Sequence, residues 1–366
     1  HDPGWSDEKL QASRVHIGNI GPKSTPLSED NTHLWVEGEC YNLQECNTLF
    51  SLSSDSIESL LLEAYQKGRL DSVLNKLDGY FCAALYDTKA QKLLLISDRY
   101  GMGMLYWYCK DGLFAWGSEV KAILALDGVD KTLDQNSYGC FMDLGYMIGE
   151  HTWFEYTKLI RPATVLEYDI KSKTIRQHHY WKWSEISQSG MSFSEAVDEL
   201  GKRFIEAVRK RFDPDEKIGI SLSGGLDSRA IFAAVNHLYP DYQGYAYTFG
   251  IPDCDDMKIA EQVVARSMWR HEKFYFDEKN WFTPRLEKIW NTDGMQDMMH
   301  MHGSEFLNEV SKNIDVNLNG YAGDAVLGGG FLVRIPLNKR IDENSSKAFY
   351  KGYYHMGDLH DDFYDI

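Results

Sequence analysis

A six-residue string, Ser223-Gly224-Gly225-Leu226-Asp227-Ser228, constrains this chain more than any other stretch. The apolar run Ile218-Gly219-Ile220-Ser221-Leu222 leads into it, and a helical pattern of mostly small and apolar residues, from Ala230 to Phe232, comes after it. The order is strand, loop, helix. The loop falls at the carboxyl end of the strand, where open α/β sheets bind ligands. Two adjacent glycines let backbone N–H groups turn inward, and the helix N-terminus adds positive potential. Such a loop is built to hold a pyrophosphate, and Asp227 supplies a charge that Mg²⁺ can bridge to phosphate oxygens. The lysine of G-x-x-x-x-G-K-[ST] is absent, which disfavours ordinary γ-phosphate chemistry.

A second glycine-rich loop repeats the arrangement. Asp315-Val316-Asn317-Leu318-Asn319 reads as a short strand that empties into Gly320-Tyr321-Ala322-Gly323-Asp324, with Gly328-Gly329-Gly330 beyond. Alone it could be a structural turn. Paired with the first loop it gains meaning, because aspartates on neighbouring strand ends can share Mg²⁺. Asp227 and Asp324 are therefore the candidate metal ligands. Between the loops, Tyr245–Phe249 and Lys273–Phe276 read as strands, and 256–268 as the helix joining them. Upstream, Ser192-Phe193-Ser194-Glu195 spells a capping box. Val197, Leu200, Phe204, Ala207 and Val208 then recur at helical spacing, and Arg209, Lys210 and Arg211 close the last turn. Strands alternating with helices imply a parallel sheet. The polar, poorly periodic stretch from Trp183 to Gly190 is the linker before this region.

Composition narrows the partners. The 366 residues are enough for two domains, and 43% hydrophobic content supplies sizeable cores. A formal charge of −17 repels nucleic acid and anionic membranes. It does not repel ATP held by a local loop and Mg²⁺. No run reaches the length of a membrane helix, and no signal peptide opens the sequence. The six cysteines show no C-x-x-C pairing, so they read as free thiols of a reducing, cytoplasmic compartment.

Ser223–Ser228 resembles the pyrophosphate loop (SGGxDS) of the ATP pyrophosphatases, and the second loop resembles the GxGxDE…GG segment of the asparagine synthetase family. Gly320, Asp324, Gly328 and Gly329 fit that segment, whereas Ala322 and Ala325 replace its glycine and glutamate. The first half is similar to the family's glutamine amidotransferase domain through Glu37-Gly38-Glu39-Cys40-Tyr41-Asn42, Leu77-Asp78-Gly79-Tyr80-Phe81, Asp98-Arg99-Tyr100-Gly101, Leu105-Tyr106-Trp107 and Gly117-Ser118-Glu119-Val120-Lys121-Ala122. The resemblance implies an α/β and α+β protein of two domains. An Ntn-hydrolase-like αββα glutaminase domain occupies 1–185. A doubly wound, parallel-sheet ATP-pyrophosphatase domain occupies 186–366. It also implies that the sequence begins inside the first domain and stops within the second, before a helical region whose adenylate-forming lysine cannot be assigned to Lys347 or Lys351.

The resemblance carries functional expectations too. ATP and Mg²⁺ are the expected cofactors, with Leu222, Ser223, Gly224, Gly225, Asp227, Ser228, Thr248, Phe249 and Gly320 around the nucleotide. Asp255, Asp256 and His271 match the family pattern and serve equally well as a helix cap and a surface histidine. The expected reaction is amide formation: a carboxylate, aspartate as first choice, is adenylated and then attacked by ammonia or glutamine-derived nitrogen. Intramolecular closure, as in β-lactam synthetases, is the alternative, and a non-catalytic nucleotide-binding relative is a third. Tyr321 stands where β-lactam synthetases carry tyrosine and asparagine synthetases glutamate. It is a catalytic phenol, a substrate contact or a packing residue. Arg229 reaches either a phosphate or a carboxylate. Glu37, Gly38, Glu39 and Asp55 mark the glutamine site. There Glu37 replaces an asparagine whose amide stabilises the oxyanion, so the domain is expected to be a poor glutaminase. A homodimer is left open.

Overall fold

The computed structural model describes residues 4–14, 25–323 and 326, and divides into two compact units. One comprises His1–Gly139 and Met147–Ser189; the other comprises Cys140–Tyr146 and Gly190–Ile366. Asp324, Ala325, Gly328, Gly329, Gly330, Lys347 and Lys351 lie outside the described residues.

In chain order, the first unit opens with a two-strand ribbon, β1 (Trp5–Ser6) and β2 (Gln11–Ala12). Then come β3 (Leu27–Glu29), β4 (Thr32–Cys40), α1 (Leu43–Phe50), α2 (Ile57–Gln66), α3 (Leu70–Lys76), β5 (Gly79–Asp87) and β6 (Lys92–Ser97). The chain continues through β7 (Tyr106–Lys110), β8 (Leu113–Gly117), α4 (Val120–Leu124), α5 (Gln135–Leu144), β9 (Thr157–Leu159), β10 (Thr164–Asp169) and β11 (Thr174–His179). Six strands form one antiparallel sheet in the order β11-β10-β6-β5-β4-β3; β8-β7-β9 form a smaller one.

Period-two alternation explains the layering. On β5, Phe81, Ala83 and Leu85 face the core shared with α2 and α3, where Leu60, Leu61, Leu62 and Val73 are buried. Cys82, Ala84 and Tyr86 face the opposite core, with Leu105, Trp107 and Phe114 of the smaller-sheet side. The neighbouring strand β6 divides the same way: Leu94 and Ile96 to one side, Leu93 and Leu95 to the other. Buried on both faces, these strands read as nearly continuous apolar runs. Helix α4 packs against β7 and β8, which gives helix, sheet, sheet, helix.

The second unit carries α6 (Phe193–Lys210), β12 (Ile218–Ser221), α7 (Leu226–Leu238), β13 (Tyr245–Gly250), α8 (Asp255–Val264), β14 (Arg270–Tyr275), α9 (Phe282–Lys288), α10 (Leu307–Val310) and β15 (Val316–Leu318). Its four strands are parallel, in the order β14-β13-β12-β15. Ile218, Ile220, Leu222, Ala246, Phe232 and Val235 join Ala260 and Val264 in the core on one face. Tyr245, Tyr247, Val310 and Ile314 form the core on the other. From β12 the chain steps outward to β13 and β14, then returns to add β15 on the opposite side of β12. Strand order therefore reverses between β12 and β15, which is the switch point where such sheets bind ligands.

The capping box on α6 forms as the sequence implies: Ser192 Oγ accepts from the Glu195 N–H, and Glu195 accepts from the Ser192 N–H at 2.8 Å. The apolar stripe behaves differently. Phe204 and Val208 pack in the core, whereas Phe193, Val197 and Leu200 are exposed. Only the last turns of this 18-residue helix reach the core, where α6 packs against α7. All six cysteines are free thiols.

Candidate active site

The switch point brings the two glycine loops together. Leu222 is buried; its N–H donates to the Tyr247 carbonyl at 2.8 Å, and its carbonyl accepts from Thr248 Oγ1 at 2.7 Å. These bonds tie the start of the first loop to β13. Thr248 has a single hydroxyl proton, so with that proton on Leu222 its oxygen accepts from His271 Nε2 at 2.9 Å. Burial, aided by the Lys273 ammonium, pushes the His271 imidazolium down from its ordinary pKa, which suits a neutral ring with its proton on Nε2.

The loop amides are bonded within the protein. Ser223 N–H donates to Ser228 Oγ at 3.1 Å, Gly225 N–H to Ser223 Oγ at 3.1 Å, and Gly224 N–H to Asp256 Oδ1 at 2.6 Å. The Ser223 and Ser228 hydroxyls stand 3.0 Å apart and close the loop on itself. Gly225 caps α7, whose first turn carries Asp227 and the buried Ser228. Arg229, left open by sequence, donates from Nε to the Gly225 carbonyl at 3.1 Å, so its guanidinium braces the loop.

The second loop leans on Asp227. A Cβ on Gly320 would stand 2.6 Å from Ser228 N and 2.8 Å from Asp227 Cβ. One on Gly323 would stand 2.6 Å from Asp227 Cγ. Both glycines are required for space, and the Asp227 carboxylate is wedged against the residue preceding Asp324. Ala322, where the family pattern has glycine, adopts φ +61°, a left-handed conformation that strains an L-residue. Replacing Ala322 by glycine should raise the stability of this unit by about 0.5–1 kcal/mol, the relief of strain less the added chain entropy of glycine. Urea unfolding checks this; a lowered midpoint would contradict it.

Tyr321 is 86% exposed, and its N–H donates to Asn319 Oδ1 at 3.0 Å. Phe249 sits at the end of β13 with its ring in a cluster with Phe276 and Phe306, beneath Gly303. Asp256, which the sequence left as a cap or a binding group, is the acceptor for the Gly224 amide.

In the first unit, Glu37, Gly38 and Glu39 lie on β4, paired with Cys82, Phe81 and Tyr80 of β5. Gly38 has φ +120°, and a Cβ there would strike the Tyr80 carbonyl oxygen. Asp55 stays at the entrance of α2, accepting from Ser59 Oγ at 3.0 Å. Cys40 ends β4, with its thiol 3.7 Å from Asn42 Oδ1. Arg14 is the residue that sequence reading missed. Its side chain is 8% exposed, and Nε lies 3.6 Å from Glu37 Oε1. No local pattern marks it, because its partner lies on β4, distant in sequence.

A glycine loop follows the first strand of a parallel sheet, and an antiparallel unit precedes that sheet in the chain. By family comparison, residues 4–181 match the glutamine amidotransferase domain and residues 199–355 match asparagine synthase. The chain belongs to the asparagine synthetase family, with an N-terminal glutaminase domain and a C-terminal synthetase domain.

Asparagine synthetase [glutamine-hydrolyzing] 3 of Bacillus subtilis is 27% identical over 338 residues, covering 85% of this chain and 54% of that protein. The human asparagine synthetase [glutamine-hydrolyzing] is 24% identical, covering 86% and 58%. Amidase chry2 of Gibberella zeae is 27% identical, covering 62% and 34%. The chain spans about half the length of the curated asparagine synthetases it matches. Among the described residues, no helix is long and apolar enough to cross a membrane.

Proposed function

We propose that this protein is an ATP-dependent, AMP-forming amide ligase. The observation that carries the reading is the wedging of Asp227 between two glycine loops at the switch point. Triphosphate would lie along Ser223–Ser228, with Thr248 and Phe249 at the strand end that flanks the adenine. A substrate carboxylate oxygen attacks the α-phosphorus; the bond to the β-phosphate oxygen breaks, and pyrophosphate leaves. An amine then attacks the acyl carbon, loses a proton, and displaces AMP. Aspartate is the first choice of carboxylate, with glutamine or ammonia as nitrogen source. The N-terminal amides of α7 would face the charge that develops on the leaving pyrophosphate.

Mg²⁺ suits the donor set. Among the described residues no group of three or more His, Cys, Asp or Glu could hold a metal ion. Mg²⁺ nevertheless binds through one or two carboxylates and keeps several waters. Asp227, together with Asp324, would hold it. The ion would supply positive charge against the phosphates.

ATP–pyrophosphate exchange by the full-length protein tests this reading. Exchange stimulated by aspartate supports asparagine formation. Exchange stimulated only by a substrate carrying its own amine supports ring closure. ATP binding without exchange would make the protein a non-catalytic relative.

The first unit is proposed to keep its fold and to hydrolyse glutamine poorly. By the family resemblance Glu37 replaces an asparagine whose amide would steady the oxyanion, and Arg14 pairs with it. Loss of one oxyanion donor costs about 10²–10³ in rate. Ammonia should therefore support AMP formation at least about 10²-fold better than glutamine. Equal rates from the two nitrogen sources would refute the proposal.

A further inference from the structure

Each backbone N–H has one proton to give. Ser223 and Gly225 give theirs to neutral hydroxyls within the loop itself. Gly224 gives its proton to a carboxylate from a different element, Asp256 on the first turn of α8, in the shortest of the three bonds. A bond to a charged acceptor is about twice as strong as a neutral one. The contact is built into the packing: a Cβ on Gly224 would stand 2.9 Å from Asp256 Oδ1 and 3.1 Å from Ile259 Cδ1. Glycine at 224 is what lets α8 approach.

A phosphate oxygen can use the Gly224 amide only by displacing Asp256. Its negative charge is also repelled by the carboxylate it displaces. That carboxylate has a place to go, since an acid in the first turn of α8 is favoured by the helix's own N-terminal amides. We infer that Asp256 is an internal competitor for the nucleotide's phosphates. It holds the Gly224 amide, yields it to a phosphate oxygen, and so lowers the affinity of the loop for polyphosphate. This inference rests on the proposal that the loop binds a nucleotide.

Calorimetric titration of the full-length protein with inorganic pyrophosphate, Mg-ATP and adenosine tests it, using wild type, Asp256→Asn and Asp256→Ala. Asparagine keeps an oxygen for the Gly224 amide and removes only the charge, so it separates competition from simple loss of a contact. Pyrophosphate and Mg-ATP should bind about tenfold more tightly to both variants, with adenosine affinity unchanged. Binding of pyrophosphate that is unchanged or weaker in both variants would overturn the inference and make Asp256 a buttress of the loop. If wild type binds nucleotide normally, only this inference falls. If neither wild type nor variants bind any phosphate ligand, the ligase proposal falls with it.

Discussion

Replacing Asp227 by asparagine should lower ATP–pyrophosphate exchange by at least about 10³-fold, beyond the usual loss of a single stabilising donor, while the fold survives. Asp227 lies on the first turn of α7, between the helix N-terminus and the glycines of the second loop. Asparagine has the same shape, so neither Gly320 nor Gly323 meets a new atom. What changes is charge: the side chain can no longer neutralise a divalent cation at the phosphates. Circular dichroism and thermal unfolding should match wild type. Exchange within about tenfold of wild type would show that Asp227 is a structural acid.

The second large effect is steric. Gly320→Ala should weaken nucleotide binding and exchange by at least about 10²-fold, the scale at which an ångström of misplacement acts. The new methyl would meet Ser228 N and Asp227 Cβ, both backbone-fixed. It must push the second loop away from the first, and overpacking of this kind costs about 1–3 kcal/mol of stability. Gly320 has no left-handed backbone requirement, so the loss would come from crowding alone. Stability separates the two variants: Gly320→Ala should lower the unfolding midpoint, whereas Asp227→Asn should leave it at the wild-type value. A Gly320→Ala protein with normal affinity and exchange would mean that the two loops need not touch.

The parts of this site that are local in sequence were legible in it. The strand 218–221, its glycine turn and the capped helix after Ser192 are each set by neighbouring residues, because turn chemistry and capping act over a few positions. The pairing of the two loops was legible only as an expectation, since about ninety residues separate them. Asp256 illustrates the limit. A helix-starting aspartate looks like a cap, and only the close approach allowed by Gly224 shows which amide it takes. Arg14 and Glu37 were illegible as a pair, because ion pairing between residues distant in sequence leaves no periodic trace. The same holds for Cys140–Tyr146, which joins the second unit through the Tyr146–Gln296 bridge and the Asp297 N–H to Gly145 carbonyl bond. The exposed half of α6 shows the converse. Its apolar spacing was plain, yet spacing does not say which turns reach the core.

The most direct test of the ligase assignment is the identity of the nucleotide products. Phosphorus NMR of the full-length protein with Mg-ATP, a carboxylate that stimulates exchange and ammonium should show AMP and pyrophosphate in equal amounts, abolished by Asp227→Asn. ADP and inorganic phosphate as the products, or AMP formation that survives that substitution, would contradict it.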